Sequence, residues 1–321
     1  MTKARQLADL GNAYDDGALS NRNLIINGSM AISQRSLSVS SQTATGYKTV
    51  DRIRVNGSGG TYNQSQQTVT VGGETGLPVQ FTKFLRHECT VGNDNHLLIT
   101  RIEDVSKFVG TMKLSFYAKG SGADVLAVKF HQAFGSGGSA DIYTSAQSFT
   151  VTSTWQRFEF NIEMPSITGK TLGAGNYGSV LFGQDSSTST AAWTLDITGL
   201  QWEHGDTATP FEHKNVGQEL FDCQRYCQLN TAEYMRTYST TAGSRQILLK
   251  PPMRATPTAS LLSGGVNKIL DIGNAYRNIN SLGGVELLSN HGGTQNINVS
   301  STVNSKGHIV TGGCIIYDAE L

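Results

Sequence analysis

From Asn23 to about Lys214 the chain alternates, or runs briefly apolar, in segments of strand length: LIINGSMAIS, KTVDRIRV, QQTVTV, HLLITRIE, TMKLSFYAK, VLAVKFHQAF, QSFTV, QRFEFNIEM, SVLFG and WTLDITGLQWE. Turn-forming clusters such as NGSGG, GGETG, GSGADV, GSGGSAD, TGKTLGAGN and QDSSTST separate them, and no helical period intervenes. Many short strands with turns between them predict an all-β fold, a two-sheet sandwich of jelly-roll type. In TMKLSFYAK the period-2 pattern puts Met112, Leu114, Phe116 and Ala118 on a buried face and Lys113, Ser115, Tyr117 and Lys119 on a wet one.

Outside this block the pattern changes twice. GQELFDCQRYCQLN spaces Leu220, Cys223 and Cys227 as one helix face, which predicts a short connecting helix over residues 215–229. Beyond it, residues 230–321 again read as strands punctuated by Pro251, Pro252 and Pro257, a second small β-sandwich-like domain. A domain of that size is marginal alone and gains from oligomerisation. Residues 1–22 begin with KARQLADLG, able to make a turn or two of helix, and are otherwise polar. They read as an arm that docks on a partner. No fixed-period repeat supports a propeller or a long parallel β-helix.

Charge and length narrow the partners. The 321 residues carry 25 acidic and 25 basic side chains, a formal net charge of zero. Such a chain presents no overall electrostatic footprint for nucleic acid or an anionic membrane. The balance favours a neutral glycan or a protein surface as partner, with salt-tolerant subunit packing. No apolar run reaches the length of a spanning helix, and the polar start is unlike a secretory signal, so synthesis in a cytoplasm is expected. Cys89, Cys223, Cys227 and Cys314 are too unevenly spaced for a disulfide framework, and reduced thiols are expected. Cys223 and Cys227 read as small buried thiols rather than a metal site, since no His or further Cys stands at ligand spacing.

No catalytic constellation emerges, and the chain is not expected to be an enzyme. Its carboxylates single out no glycosidase pair, GxSxG is absent, and the histidines form neither HxH nor HExxH. GSGG at 57–60 and 135–138 suits hairpin turns better than a phosphate loop. VGNDNH offers oxygen ligands around Asp94 for a structural calcium, but acids are missing at alternate positions, so an Asx-rich turn is the better reading and no cofactor is expected. Exposed rings beside polar groups are what saccharides stack on. Trp155 and Trp202 alternate with polar neighbours along strands and read as core. His131, Tyr143, Tyr177, Asp185 and Trp193 lie at or beside loops and are the candidate glycan contacts.

The ordered set NLIINGSMAISQR, GYKTVDRI, KLSFYAKG, TWQRFEFNIEMP and DITGLQWEHGDTATPFEHKNVGQELFDCQRYCQ resembles a recurrent module of bacteriophage and prophage tail-fibre proteins, one similar to carbohydrate-binding jelly rolls. KARQLADLGN resembles the leader before such modules, and PPMRATPTASL with the terminal YDAEL is similar to their closing β domain. The resemblance implies a virion structural protein of tail-fibre, receptor-binding type: a homotrimer made in a bacterial cytoplasm, recognising a host-surface glycan and held to other virion proteins through residues 1–22. A head-decoration or capsid-attached fibre with an assembly role is the alternative. The residues it carries over are architectural: Asn27, Gly28, Asp51, Arg52, Trp155, Arg157, Gln201, Glu203, Gly205, Thr209, Pro210 and Phe211. Trp202 and Cys227 depart from the pattern, standing where an aliphatic and an aromatic residue are usual. The division expected is an arm (1–22), a jelly roll (23–214), a connecting helix (215–229) and a C-terminal β domain (230–321).

Overall fold

A computed structural model describes residues 21–57, 60–70, 72–91, 96–121, 126–184, 192–230, 234–237, 242–261, 268–270, 276–299, 308–311 and 315–321. Residues 1–20 of the expected arm, Asp94 and Asp185 lie outside the described residues. The chain divides into two compact units, one running to Asn215 and including Leu321, the other Val216–Glu320.

The first unit is a jelly-roll sandwich of two antiparallel sheets. Its strands are β1 (Ser38–Gln42), β2 (Gly46–Tyr47), β3 (Ile53–Gly57), β4 (Thr61–Thr68), β5 (Lys83–Val91), β6 (His96–Glu103), β7 (Gly110–Ser121), β8 (Leu126–Ala133), β9 (Ile142–Tyr143), β10 (Gln147–Phe149), β11 (Gln156–Met164), β12 (Tyr177–Gln184) and β13 (Trp193–His204). One sheet has the order β1-β4-β5-β13-β7-β11, and the other β10-β8-β12-β6-β3-β2 with β9 on β8. Alternate residues of both sheets meet in one core. Leu114 and Phe116 come from β7, Val128 and Phe130 from β8, Val180 and Phe182 from β12, and Leu195, Ile197 and Trp202 from β13. Trp202 is fully buried and stacks on Phe108 at 4.4 Å.

Within that core, Nε2 of His87 and Nε2 of His96 lie 2.8 Å apart, between the rings of Tyr62 and Trp193. Burial, and then the neighbouring His96, holds His87 well below the ordinary histidine value, and burial lowers His96 to about 4.

LIINGSMAIS is a strand by its pattern but folds as a turn. Asn27 (φ 62°) and Met30 (φ 59°) adopt the left-handed conformation, which breaks the pleat. The turn is fixed by buried bonds. Asn27 Nδ2 donates to the carbonyls of Ile32 (2.8 Å) and Asp51 (2.9 Å), and its Oδ1 accepts from the Ile32 amide (2.9 Å). Gly28 passes so close to β13 that a Cβ there would stand 2.2 Å from the Leu200 carbonyl oxygen.

The six-stranded sheet has a largely covered outer face, where the period-2 pattern predicts a wet one. Lys113 and Ser115 are buried, and Tyr117 and Lys119 are half-buried. Val69, Leu77 and Phe81 lie over this face, with Phe81 against Tyr117, Phe211 and His213 at ring distances of 5.1–5.4 Å. Residues 205–213 form a strap. Glu203 accepts from Gln201 (2.9 Å), the Thr209 amide (2.9 Å) and the Thr209 hydroxyl (2.7 Å), while Arg157 donates to the Thr209 carbonyl (2.9 Å). Trp155 is buried there, its Nε1 donating to Glu74 at 2.7 Å. Burial pushes the Glu74 carboxyl up, but hydrogen bonds from Lys119 and Trp155 outweigh it and leave the group below its ordinary value.

The second unit opens with α1 (Val216–Gln224). The helix is shorter than the predicted 215–229: Cys227 already begins a strand, so Cys223 and Cys227 are both buried but do not share a helix face. β14 (Cys227–Asn230), β17 (Thr258–Leu261) and β22 (Ile315–Asp318) form a sheet of order β14-β22-β17. β15 (Tyr234–Thr237), β16 (Ala242–Leu248), β18 (Lys268–Leu270), β19 (Tyr276–Ser289), β20 (Gly292–Val299) and β21 (His308–Thr311) pair in the cyclic order β15-β16-β20-β19-β18-β21. The small β domain therefore consists of a three-stranded sheet and a ring of six strands.

Candidate saccharide site

The outer face of the seven-stranded sheet holds a recess of about 340 Å³, lined from β3, β6, β8, β9 and β12. Strand alternation decides which residues reach it. On β6, Leu98 and Ile102 enter the core while Leu97, Ile99 and Arg101 face outward. On β12, Val180 and Phe182 are core, and Tyr177, Ser179 and Leu181 face outward. The register then sets Ser179 beside His131 on β8 and Arg101 on β6, and Leu181 beside Lys129 and Ile99. Leu97, Ile99 and Leu181 pack together as an apolar floor.

On that floor stands an aromatic platform. The Tyr143 ring lies parallel to the His131 imidazole, centroids 4.0 Å apart at 2°, and Tyr143 is 57% exposed, so one ring face remains open. Tyr177 meets His131 edge-on at 5.7 Å, and the Arg101 guanidinium lies 4.7 Å from the Tyr177 centroid.

His131 is 5% exposed and serves as the support beneath the platform. Its Nε2 is 3.0 Å from Asp141 Oδ2 and its Nδ1 is 3.3 Å from Ser179 Oγ. An ionised Asp141 only accepts, so Nε2 carries the proton and Nδ1 accepts from the serine hydroxyl. Burial lowers the His131 pKa and outweighs the raising effect of Asp141, which favours the neutral ring. Asp141 Oδ1 also accepts from the Phe134 amide at 3.0 Å, fixing the loop that carries Tyr143. Burial, then the Asp141 charge, raises the Tyr143 pKa, so its hydroxyl stays protonated and able to donate.

The recess thus brings together His131, Tyr143 and Tyr177 of the five sequence candidates. Trp193 stands apart from them: only 2% exposed, it packs against the His87 and His96 rings inside the sandwich and does not line this recess. Arg54, Asn56, Arg101, Lys129 and Ser179 were not singled out by sequence reasoning. One signal points to two of them: Lys129 is two residues from His131, and Ser179 two from Tyr177, the spacing of one strand face. Among the described residues no group of three or more His, Cys, Asp or Glu is placed to hold a metal ion.

The fold and site define an all-β jelly-roll protein with a ring-lined polar recess on one sheet. No protein-family model matches the chain, and no curated protein does. Among solved structures it is similar to the enzymatically active domain of tailspike protein 4 from bacteriophage CBA120, with 14% identity over 57% of this chain and 22% of that one, and a TM-score of 0.33. It is also similar to a putative sugar binding protein from Bacteroides thetaiotaomicron (11% identity, 57% and 100% covered, TM-score 0.33). A third is TmCBM61, solved in complex with β-1,4-galactotriose (9% identity, 58% and 100% covered, TM-score 0.32).

Proposed function

We propose that the jelly roll binds a host-surface saccharide in the recess of the seven-stranded sheet, without cleaving it, as part of a homotrimeric virion fibre of the tail type. The observation that carries the saccharide reading is the exposed ring of Tyr143 in a recess with an apolar floor, lined also by Arg54, Asn56, Lys129 and Tyr177. A sugar ring presents C–H groups to an aromatic face and hydroxyls to surrounding polar groups, and this recess offers both. The tail-fibre part rests on the order of the five sequence motifs. Trimerisation is supported by the gain in core available to the small C-terminal domain and by the common axis a fibre needs. In this reading residues 1–22 dock on other virion proteins.

A glycan array probed with the full chain tests the central part. Saturable binding to one saccharide family, lost in Tyr143→Ala and kept in Glu203→Gln, is the expected result; no saccharide bound, or equal loss in both variants, contradicts it. Light scattering should give three times the chain mass, and a monomer would sink the trimer. Deleting residues 1–22 should leave binding intact and abolish incorporation into virions.

A further inference from the structure

The recess carries a local charge that the zero net charge of the chain conceals. Arg54 on β3 pairs in register with Ile99 on β6, and Arg101 stands two residues further along the same face, so the two guanidinium groups are diagonal neighbours. Lys129 joins them through Leu181, which pairs with Lys129 on one side and Ile99 on the other. Among the described residues no Asp or Glu lines the recess. The adjacent carboxylate of Asp141 is committed to His131 and to the Phe134 amide, and Glu103 lies next beyond Arg101, outside the recess. Arg101 also donates to the Leu321 carbonyl oxygen, which uses one of its five N–H groups.

Like charges brought together on one sheet face are destabilising, and partly burying a guanidinium adds a desolvation cost. Burial, then the charge of Arg101, lowers the Arg54 pKa, and what opposes them is the phenols of Tyr47 and Tyr177 rather than a carboxylate. An anion between the two guanidinium groups offsets both costs, and the planar fork of arginine matches an oxyanion through two parallel hydrogen bonds. We propose that the saccharide bound here is acidic, its carboxylate or phosphate held by Arg54 and Arg101 while a sugar ring lies on Tyr143. This overturns the neutral glycan expected from net charge, and it rests on the saccharide reading of the recess.

The test titrates the full chain with matched pairs: oligogalacturonate against its carboxyl-reduced neutral form, sialyllactose against lactose, and mannose 6-phosphate against mannose, with inorganic phosphate as a sugar-free probe. At least one acidic member should bind about tenfold or more tighter than its neutral partner. That advantage should shrink between about 20 mM and about 500 mM salt. Arg54→Gln and Arg101→Gln should each erase most of it, while Lys107→Gln on the turn before β7 keeps it. The uronate, sialate and phosphate arms distinguish the source of the anion. Neutral members binding as tightly as acidic ones would overturn the acidic ligand and leave the saccharide reading standing. Inorganic phosphate binding as well as any sugar, with no effect of Tyr143→Ala, would overturn the saccharide itself. Binding of nothing would overturn both. Thermal melts of each variant separate lost binding from lost folding.

Discussion

The two outer faces of the sandwich start from the same strand alternation and end in opposite states. On the six-stranded sheet the outward residues of β7 and β13 are buried or half-buried, with Leu77, Phe81 and the 205–213 strap packed over part of that face and Glu203 satisfied by Gln201 and Thr209. On the seven-stranded sheet the outward residues include an apolar floor and three cations, and the Tyr143 ring is left open. A polar residue under a cover has its bonds made by the protein. A polar residue at an open recess has donors available for a ligand. Asn27, Gly28, Asp51, Trp155, Arg157, Gln201, Glu203 and Thr209 belong to the turn and the cover, whereas the proposed site lies on the other face.

Variants that break each face should show this separation, the largest effect first. Asn27→Ala removes three buried hydrogen bonds that tie its turn to Ile32 and Asp51, and should cost about 3–5 kcal/mol in chemical denaturation. Glu203→Ala unpins the strap and should cost about 2–4 kcal/mol, with saccharide affinity of the folded fraction unchanged. A large affinity loss in Glu203→Ala would mean the two faces are coupled.

The histidine pair gives a pH signature for the core that both sheets share. His87 and His96 have folded pKa values below the unfolded one, so the unfolded chain takes up protons that the native one refuses. Stability should be flat above the ordinary histidine pKa of about 6.5 and fall as pH drops from there toward about 4, the value for His96. Denaturation midpoints across that window check it, and a His96→Gln variant should flatten the slope. The smallest effect on stability belongs to the open face. Tyr143→Ala should change stability by no more than about 0.5 kcal/mol and weaken saccharide binding about tenfold.

Much of the fold was legible in the chain. The period-2 runs identified most strands, and the alternation around Trp155 and Trp202 predicts two buried rings, which they are, Trp202 in the sandwich core and Trp155 beneath the cover of the six-stranded sheet. What failed did so for local or long-range reasons. LIINGSMAIS has strand-like apolar spacing, but left-handed Asn27 and Met30 turn it. Cys227 fits a helical period yet is captured by pairing with Asp318. Trp193 sits beside a loop in sequence, but its ring points inward to two histidines. The recess was half-legible. His131, Tyr143 and Tyr177 stood out as rings near loops. Arg54, Arg101 and Lys129 come from three strands whose neighbourhood depends on register, and register is set by pairings between residues tens of positions apart.

The account rests on the outer face of the seven-stranded sheet being where the saccharide binds. Amide chemical-shift mapping with the tightest saccharide from the glycan array tests this directly. Shifts should cluster at Arg54, Leu97, Arg101, Lys129, Tyr143 and Tyr177 and spare Lys113, Glu159, Glu203 and Thr209. Shifts centred on the strap face, or confined to residues after Val216, would contradict it.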